Sequence, residues 1–245
     1  MMKINMLAFA AHPDDAELSC SGTLLLHKQK GWTTGIIDLT RGELGSRGSV
    51  EQRFEEARKA SEILQLDIRE NLGLADGFFE NNPESKMKLI TAIRQYQPDI
   101  VLCPALKDRH PDHSRAAELV KDACFLSGLS KIETIVDGKT LSAWRPKKVF
   151  NYVQDQYMEP DFIIDITNQF EDKMKSVKAY STQFYSDTED GPQTYISSEN
   201  YLNLVTYRNV MMGKKIGVAY GEGFICKHSQ LGLKDLSCMI LPEFV

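Results

Sequence analysis

Two short stretches of this 245-residue chain hold side chains that could do chemistry together. The first is Ala11-His12-Pro13-Asp14-Asp15-Ala16-Glu17, an imidazole followed closely by three carboxylates. The second is Arg109-His110-Pro111-Asp112-His113. Imidazole and carboxylate are donors that suit zinc, and a catalytic zinc site keeps an open position beside three protein ligands. His12, Asp15 and His113 would supply two imidazoles and one carboxylate. Pro13 restricts the turn between His12 and the aspartates. Pro111 fits the first turn of a helix bearing His113, and the spacing of His110 and His113 puts them on one helical face. Taken singly, each cluster also has a plain reading, because an Asp at a helix start is usually a cap. Three of the five histidines fall in the two clusters, and that concentration favours a mononuclear metal centre. His27 and His228 are assigned no role.

The surrounding pattern says how two distant clusters would meet. Ile4 to Ala10 reads as a buried parallel strand and Ala16 to Lys30 as one helix closed by Gly31. A strand over Thr33–Thr40 follows, then a loop from Arg41 to Gly48. Val50–Leu64 reads as a helix with Phe54, Ala57, Ser61 and Leu64 on one stripe. Next come a strand at Ile68–Leu74 and a helix from Pro83 that ends before Pro98. A strand at Asp99–Pro104 and a helix at His113–Leu126 complete the regular part. Repeated β-α units of this length predict an α/β, Rossmann-like, mostly parallel sheet flanked by helices. Both clusters then sit at strand C-termini, where such sheets place ligands. After Gly128 the pattern loosens into an irregular C-terminal third. Strands are expected at Lys147–Val153 and Asp161–Ile166, and helices at Asn168–Phe184 and Glu199–Met212. Asp187 to Pro192 reads as a polar loop and Gly221-Glu222-Gly223-Phe224 as a close turn. With no repeat or linker, residues 1–245 are expected to form a single domain.

Composition narrows the function classes. An apolar fraction of 42% suits a packed core. The net charge of −5 argues against a nucleic-acid surface but not against an anionic small substrate met by local arginines. No apolar run is long enough for a membrane span, and the chain enters its first strand without a leader, so a cytoplasmic protein is expected. The five cysteines show no CxxC spacing and read as reduced thiols. A dinucleotide site is disfavoured, since the first turn lacks GxGxxG.

The two clusters, with Gly22-Thr23-Leu24, Thr40-Arg41-Gly42-Glu43 and Arg53-Glu56-Ala57, resemble the motifs of the PIG-L/LmbE-like zinc N-deacetylases. The similarity spans at least Ile4 to Ala123. Four further segments look most like the bacillithiol-biosynthesis branch: Gly42 to Gly48, Asp108 to His113, Tyr180-Ser181-Thr182-Gln183-Phe184 and Tyr220 to Phe224. The resemblance implies a Rossmann-like fold and hydrolysis of an N-acetyl group from a glucosamine-containing substrate, which in that branch would be N-acetylglucosaminyl-malate. It implies Zn2+ on His12, Asp15 and His113, Asp14 as general base and His110 at the oxyanion. Arg53 and Arg109 would face the substrate, with Arg41 and Arg47 as further candidates for its carboxylates. A homo-oligomer is also implied.

The chemistry so expected is hydrolysis of an amide by an activated water. Zinc polarises the carbonyl and acidifies the water. A helix N-terminus and a neighbouring cation would make Asp14 a weak base. His110 is expected as an imidazolium donor, and Asp112 as a partner that orients a histidine. Fe(II) fits the same donors, so a non-haem Fe(II) oxygenase is the rival enzyme class. A silent sugar-binding protein is a third reading, and a deacetylase of another N-acetylglucosamine conjugate (a sugar-lipid, chito-oligosaccharide or thiol conjugate) is the nearest alternative.

Overall fold

A computed structural model of the chain describes residues 2–184, 191–227, 231–232 and 235. The order of elements begins β1 (Met6–Ala10), α1 (Asp15–Ser19), α2 (Ser21–Gln29), β2 (Thr34–Thr40), α3 (Val50–Ile63) and β3 (Ile68–Leu74). It continues with α4 (Pro83–Tyr96), β4 (Ile100–Cys103) and α5 (Pro111–Leu126). A small hairpin, β5 (Ile135–Val136) and β6 (Lys139–Thr140), precedes β7 (Lys148–Tyr152) and β8 (Phe162–Asp165). The last described elements are α6 (Phe170–Lys178), α7 (Glu199–Ile216) and β9 (Gly221–Ile225).

The main sheet runs β3-β2-β1-β4-β7-β9-β8. It is parallel from β3 through β7, and β9 pairs antiparallel with both β7 and β8. The expected mostly parallel α/β sheet is therefore the fold. Strand β1 is buried along its whole length. Its alternation sends Leu7 and Phe9 into the core beneath α4 and α5, and Met6, Ala8 and Ala10 to the opposite layer with Leu24 and Phe224. Because β1 and β4 are hydrogen-bonded neighbours where the strand order reverses, the loops that leave them open onto one crevice. Among the described residues no helix is long and apolar enough to cross a membrane.

Four local expectations are corrected. The single helix over Ala16–Lys30 is two helices, broken at Cys20, whose backbone (φ −138°, ψ 11°) leaves the helical region. Gly221 to Phe224 is not a turn but strand β9, inside the sheet. Gly221 is needed there because a Cβ would come within 3.0 Å of the Gly213 backbone in α7. On α3 it is Arg53, Glu56, Ala57 and Ala60 that face inward, while Phe54 is 70% exposed. Glu56 turns in because its carboxylate accepts from the Thr182 backbone N–H and hydroxyl, each at 2.8 Å. The long helix at Asn168–Phe184 shortens to a 3-10 turn at Thr167–Gln169 followed by α6. Of the expected polar loop, residues 187–190 lie outside the described residues, as do His228 and Cys238. Cys20, Cys103, Cys124 and Cys226 are free thiols.

Candidate metal centre and catalytic cleft

An open cleft of about 270 Å³ lies over the C-terminal ends of the parallel strands. His12, Asp14 and Asp15 reach it from the turn after β1, and Arg109, His110 and His113 from the loop and helix after β4. Asp76 arrives from the end of β3, and Gln154 and Asp155 from the end of β7.

Backbone and hydrogen bonds fix the turn after β1. Asp14 holds φ 125°, a left-handed-side conformation that costs a non-glycine residue energy and recurs at functional sites. Its side chain makes no capping bond, although it precedes α1. Asp15 closes the turn instead, accepting the His12 backbone N–H at 2.8 Å through Oδ2. Asp14 and Asp15 are 5% and 3% exposed.

The ring nitrogens have assignable roles. His12 Nε2 lies 3.0 Å from Asp76 Oδ1 and 3.4 Å from Asp112 Oδ2, so this nitrogen donates, and Nδ1 faces Asp15 Oδ2 at 3.4 Å. His113 Nδ1 is bound to Asp108, and Nε2 faces Asp15 Oδ1 at 3.2 Å. Two imidazole lone pairs thus converge on one carboxylate. Acceptors that face an acceptor in this way need a positive charge among them, either protons or a cation. With Asp14, Asp76, Asp108 and Asp112 also around the crevice, the donor set fits a divalent ion. Carboxylates behind the rings are the usual support of metal-bound histidines. Nitrogens of His12, His110 and His113 lie within 4.8 Å of one another, and so do donor atoms of His12, Asp76 and Asp112. Asp15 belongs to neither group, but its oxygens face His12 Nδ1 at 3.4 Å and His113 Nε2 at 3.2 Å. Asp76 is tied to the Leu44 N–H, and Asp112 to the Gly77 N–H and to Arg115.

Electrostatics follow from this crowding. Burial pushes the Asp14 carboxyl up to about 7, against the pull of Arg53. In the metal-free chain, desolvation thus outweighs the pull of the neighbouring Arg53 and His12 charges. Burial draws the His113 ring down, but Asp15 and Asp108 hold it at about 9. His12 is likewise raised despite burial, by Asp112, Asp15 and Asp76. Asp15 is lowered although burial opposes it, because His113 and His12 flank it. His110 is lowered, first by burial and then by the charges of His12 and His113. This direction runs against the expected imidazolium. The Asp112 backbone N–H donates to His110 Nδ1 at 3.2 Å, which leaves the ring proton on Nε2.

The four arginines part company. Arg53 is 6% exposed, lines the cleft and lies across Gly42, where a Cβ would meet Nη1 at 2.0 Å. The ion pairs on the outer face of α3 belong to Arg58, with Glu55 and Glu62. Arg109 lines the cleft, contacts Asp155 at 3.2 Å and stacks over Tyr195 at 4.7 Å. Arg47 also lines it, but its guanidinium donates to the backbone oxygens of Thr182, Gly191 and Pro192 at 2.7, 2.9 and 3.0 Å. It holds Thr182, Gly191 and Pro192 instead of offering a free fork to a carboxylate. Arg41 does not line the cleft; it is exposed, in a separate groove with Pro13 and Phe54.

Several participants were not singled out in the sequence. Asp108 stood only in a quoted motif, and Asp76 follows the third strand with no motif around it. Gln154 donates to Asp15 Oδ1 at 2.5 Å from a strand end with no motif around it. Tyr195 forms a wall of the cleft.

The family model described as "PIG-L: GlcNAc-PI de-N-acetylase" matches residues 7–124, the segment that contains both clusters. The conserved protein TT1542 from Thermus thermophilus superposes with a TM-score of 0.82 at 35% identity, covering 94% of this chain and 98% of that one. A diacetylchitobiose deacetylase of Thermococcus kodakarensis is 26% identical, over 89% of this chain and 81% of its own length. A 4-oxalmesaconate hydratase of Pseudomonas putida is 23% identical, over 89% and 85%.

Proposed function

This chain belongs to the PIG-L family, and from that premise we propose that it is a zinc-dependent hydrolase that removes the N-acetyl group from an N-acetylglucosamine conjugate. The observation that carries the reading is Asp14, a buried carboxyl raised to about 7 that caps nothing and lines the cleft beside the donors. A general base poised near neutrality is what proton transfer from water needs. His12, Asp15 and His113 would hold the ion. A zinc ion bound there would polarise the acetamide carbonyl and acidify a water.

Asp14 takes a proton from the attacking water as its oxygen bonds to the carbonyl carbon. His110, neutral with its proton on Nε2, donates a hydrogen bond to the oxygen that gains charge. The C–N bond then breaks, and the proton held by Asp14 goes to the departing amine, leaving acetate and the free amino sugar. Arg53 and Arg109 favour an anionic aglycone, and N-acetylglucosaminyl-malate is our first choice. The test is acetate release by the zinc-loaded protein from that compound, diacetylchitobiose and N-acetylglucosamine. A kcat/KM preference for the malyl compound is expected. Preference for the disaccharide would move the substrate to chito-oligosaccharides, and no acetate from any of them would remove the deacetylase reading.

A further inference from the structure

The break between α1 and α2 is filled by buried charge. A broken helix leaves carbonyls at the end of its first part and N–H groups at the start of its second without intrahelical partners. Lys173 Nζ serves the first set, donating to Glu17 O at 3.0 Å and Leu18 O at 3.1 Å. Across the break, the Gly22 and Thr23 N–H groups donate to Glu222 Oε1 and Oε2 at 2.9 and 2.7 Å. Lys173 and Glu222 pair with each other at 2.7 Å, and both side chains are essentially sealed from solvent (0% and 1% exposed). The ammonium sits at the C-terminal pole of α1 and the carboxylate at the N-terminal pole of α2, each the favourable end of a helix dipole.

We infer that Lys173 and Glu222 are positioning residues for the catalytic turn: spanning the break, they set the orientation of α1 and hence of Asp14 and Asp15. Two further contacts tie this splint to the donor set. Arg208 donates to Leu18 O at 2.7 Å and to Gln154 O at 2.5 Å, and Gln154 in turn donates to Asp15 Oδ1 at 2.5 Å. Gly22 marks the closeness of the fit, since a Cβ there would lie 3.0 Å from Glu222 Oε1 and 2.8 Å from Ile166 Cδ1. A buried ion pair seldom adds stability over an apolar pair of similar volume. Its use here is therefore geometric: it lets the helix stop after Ser19 and restart, so that a short first segment can be aimed separately from the long one.

The inference rests on the metal reading above, and the experiment separates the two. Cobalt(II) titration of the parent protein, K173M/E222Q and Glu222→Asp is followed by absorption spectrum and by competition with a chelator, with circular dichroism and Tm recorded alongside. Glu222→Asp keeps the charge pair and withdraws the carboxylate, so it serves where the neutralised pair does not fold. We expect folded variants whose cobalt affinity falls about 10- to 100-fold, with a shifted ligand-field spectrum and a lower kcat at unchanged KM. A lower Tm with parental cobalt affinity and spectrum overturns the positioning role and leaves the pair purely structural. A parent that takes up no cobalt overturns the metal reading and this inference with it.

Discussion

His113 Nε2 stands 3.2 Å from Asp15 Oδ1 while its other ring nitrogen is bound to Asp108. Against the effect of burial, the two carboxylates hold the ring at about 9, and His12 is raised in the same way. In the metal-free protein the His113 ring is therefore protonated at pH 7, and His12 is shifted in the same direction. A metal needs their lone pairs, so its uptake must release protons. Calorimetric titration with zinc at pH 7 in two buffers of different ionisation enthalpy should give different heats, and metal affinity should climb with pH up to about 9. Identical heats would mean that these rings are not the ligands. For the metal-free fold the raised His113 contributes stability that is full below the unfolded histidine value of about 6.5. That contribution is lost as pH rises through about 9.

Asp108 touches no donor except through His113, and it also accepts the Gln156 N–H at 2.6 Å. Asp108→Asn should weaken zinc binding by about 10- to 100-fold without unfolding the protein. Zinc content after dialysis against a graded chelator series checks this, and parental retention would detach Asp108 from the site.

Asp14 and Arg53 make a separable pair. Asp14→Asn should lower kcat by about a hundred- to ten-thousand-fold while metal content stays at the parental level. Arg53 pulls the Asp14 carboxyl down, in opposition to the larger effect of burial. Arg53→Met should therefore raise it and move the acidic limb of the kcat/KM profile to higher pH. A limb that stays in place would exclude Asp14 as the base that sets it.

Arg94 provides a control remote from the cleft. Its buried guanidinium donates to the backbone oxygens of Ser127, Ile132 and Leu129 and to the Thr134 hydroxyl. Arg94→Met leaves those acceptors dry and should cost about 3 kcal/mol or more in chemical denaturation, with kcat unchanged in the folded enzyme. A neutral effect on stability would show that water replaces the guanidinium there.

The sequence was most legible where a signal is contiguous. His12 to Glu17 and Arg109 to His113 could be read as strand-end clusters because each follows an apolar run, and β1 pairs with β4 as required. What escaped reading depends on partners brought together by tertiary structure. Asp76 reaches His12 from 64 positions away, Gln154 reaches Asp15 from 139, and Glu222 meets Gly22 across 200. No local periodicity encodes such distances. Phe54 left its expected stripe for a related reason: a helix stripe assumes that apolar residues face in, whereas here the inner face borders a polar cleft lined by Arg53. The downward shift of His110 was likewise invisible, since it arises from burial and two neighbouring rings.

Strand β9 lies between β7 and β8, although it is the last of the three in the chain. During synthesis, then, the sheet has a gap until residue 225 leaves the ribosome. Up to that moment Lys173 lacks Glu222, and the break beside the catalytic turn is bridged on one side only. In chain order β9 is the last described strand of the sheet, so the pair that spans the break joins a residue of α6 to one that comes after every other described strand.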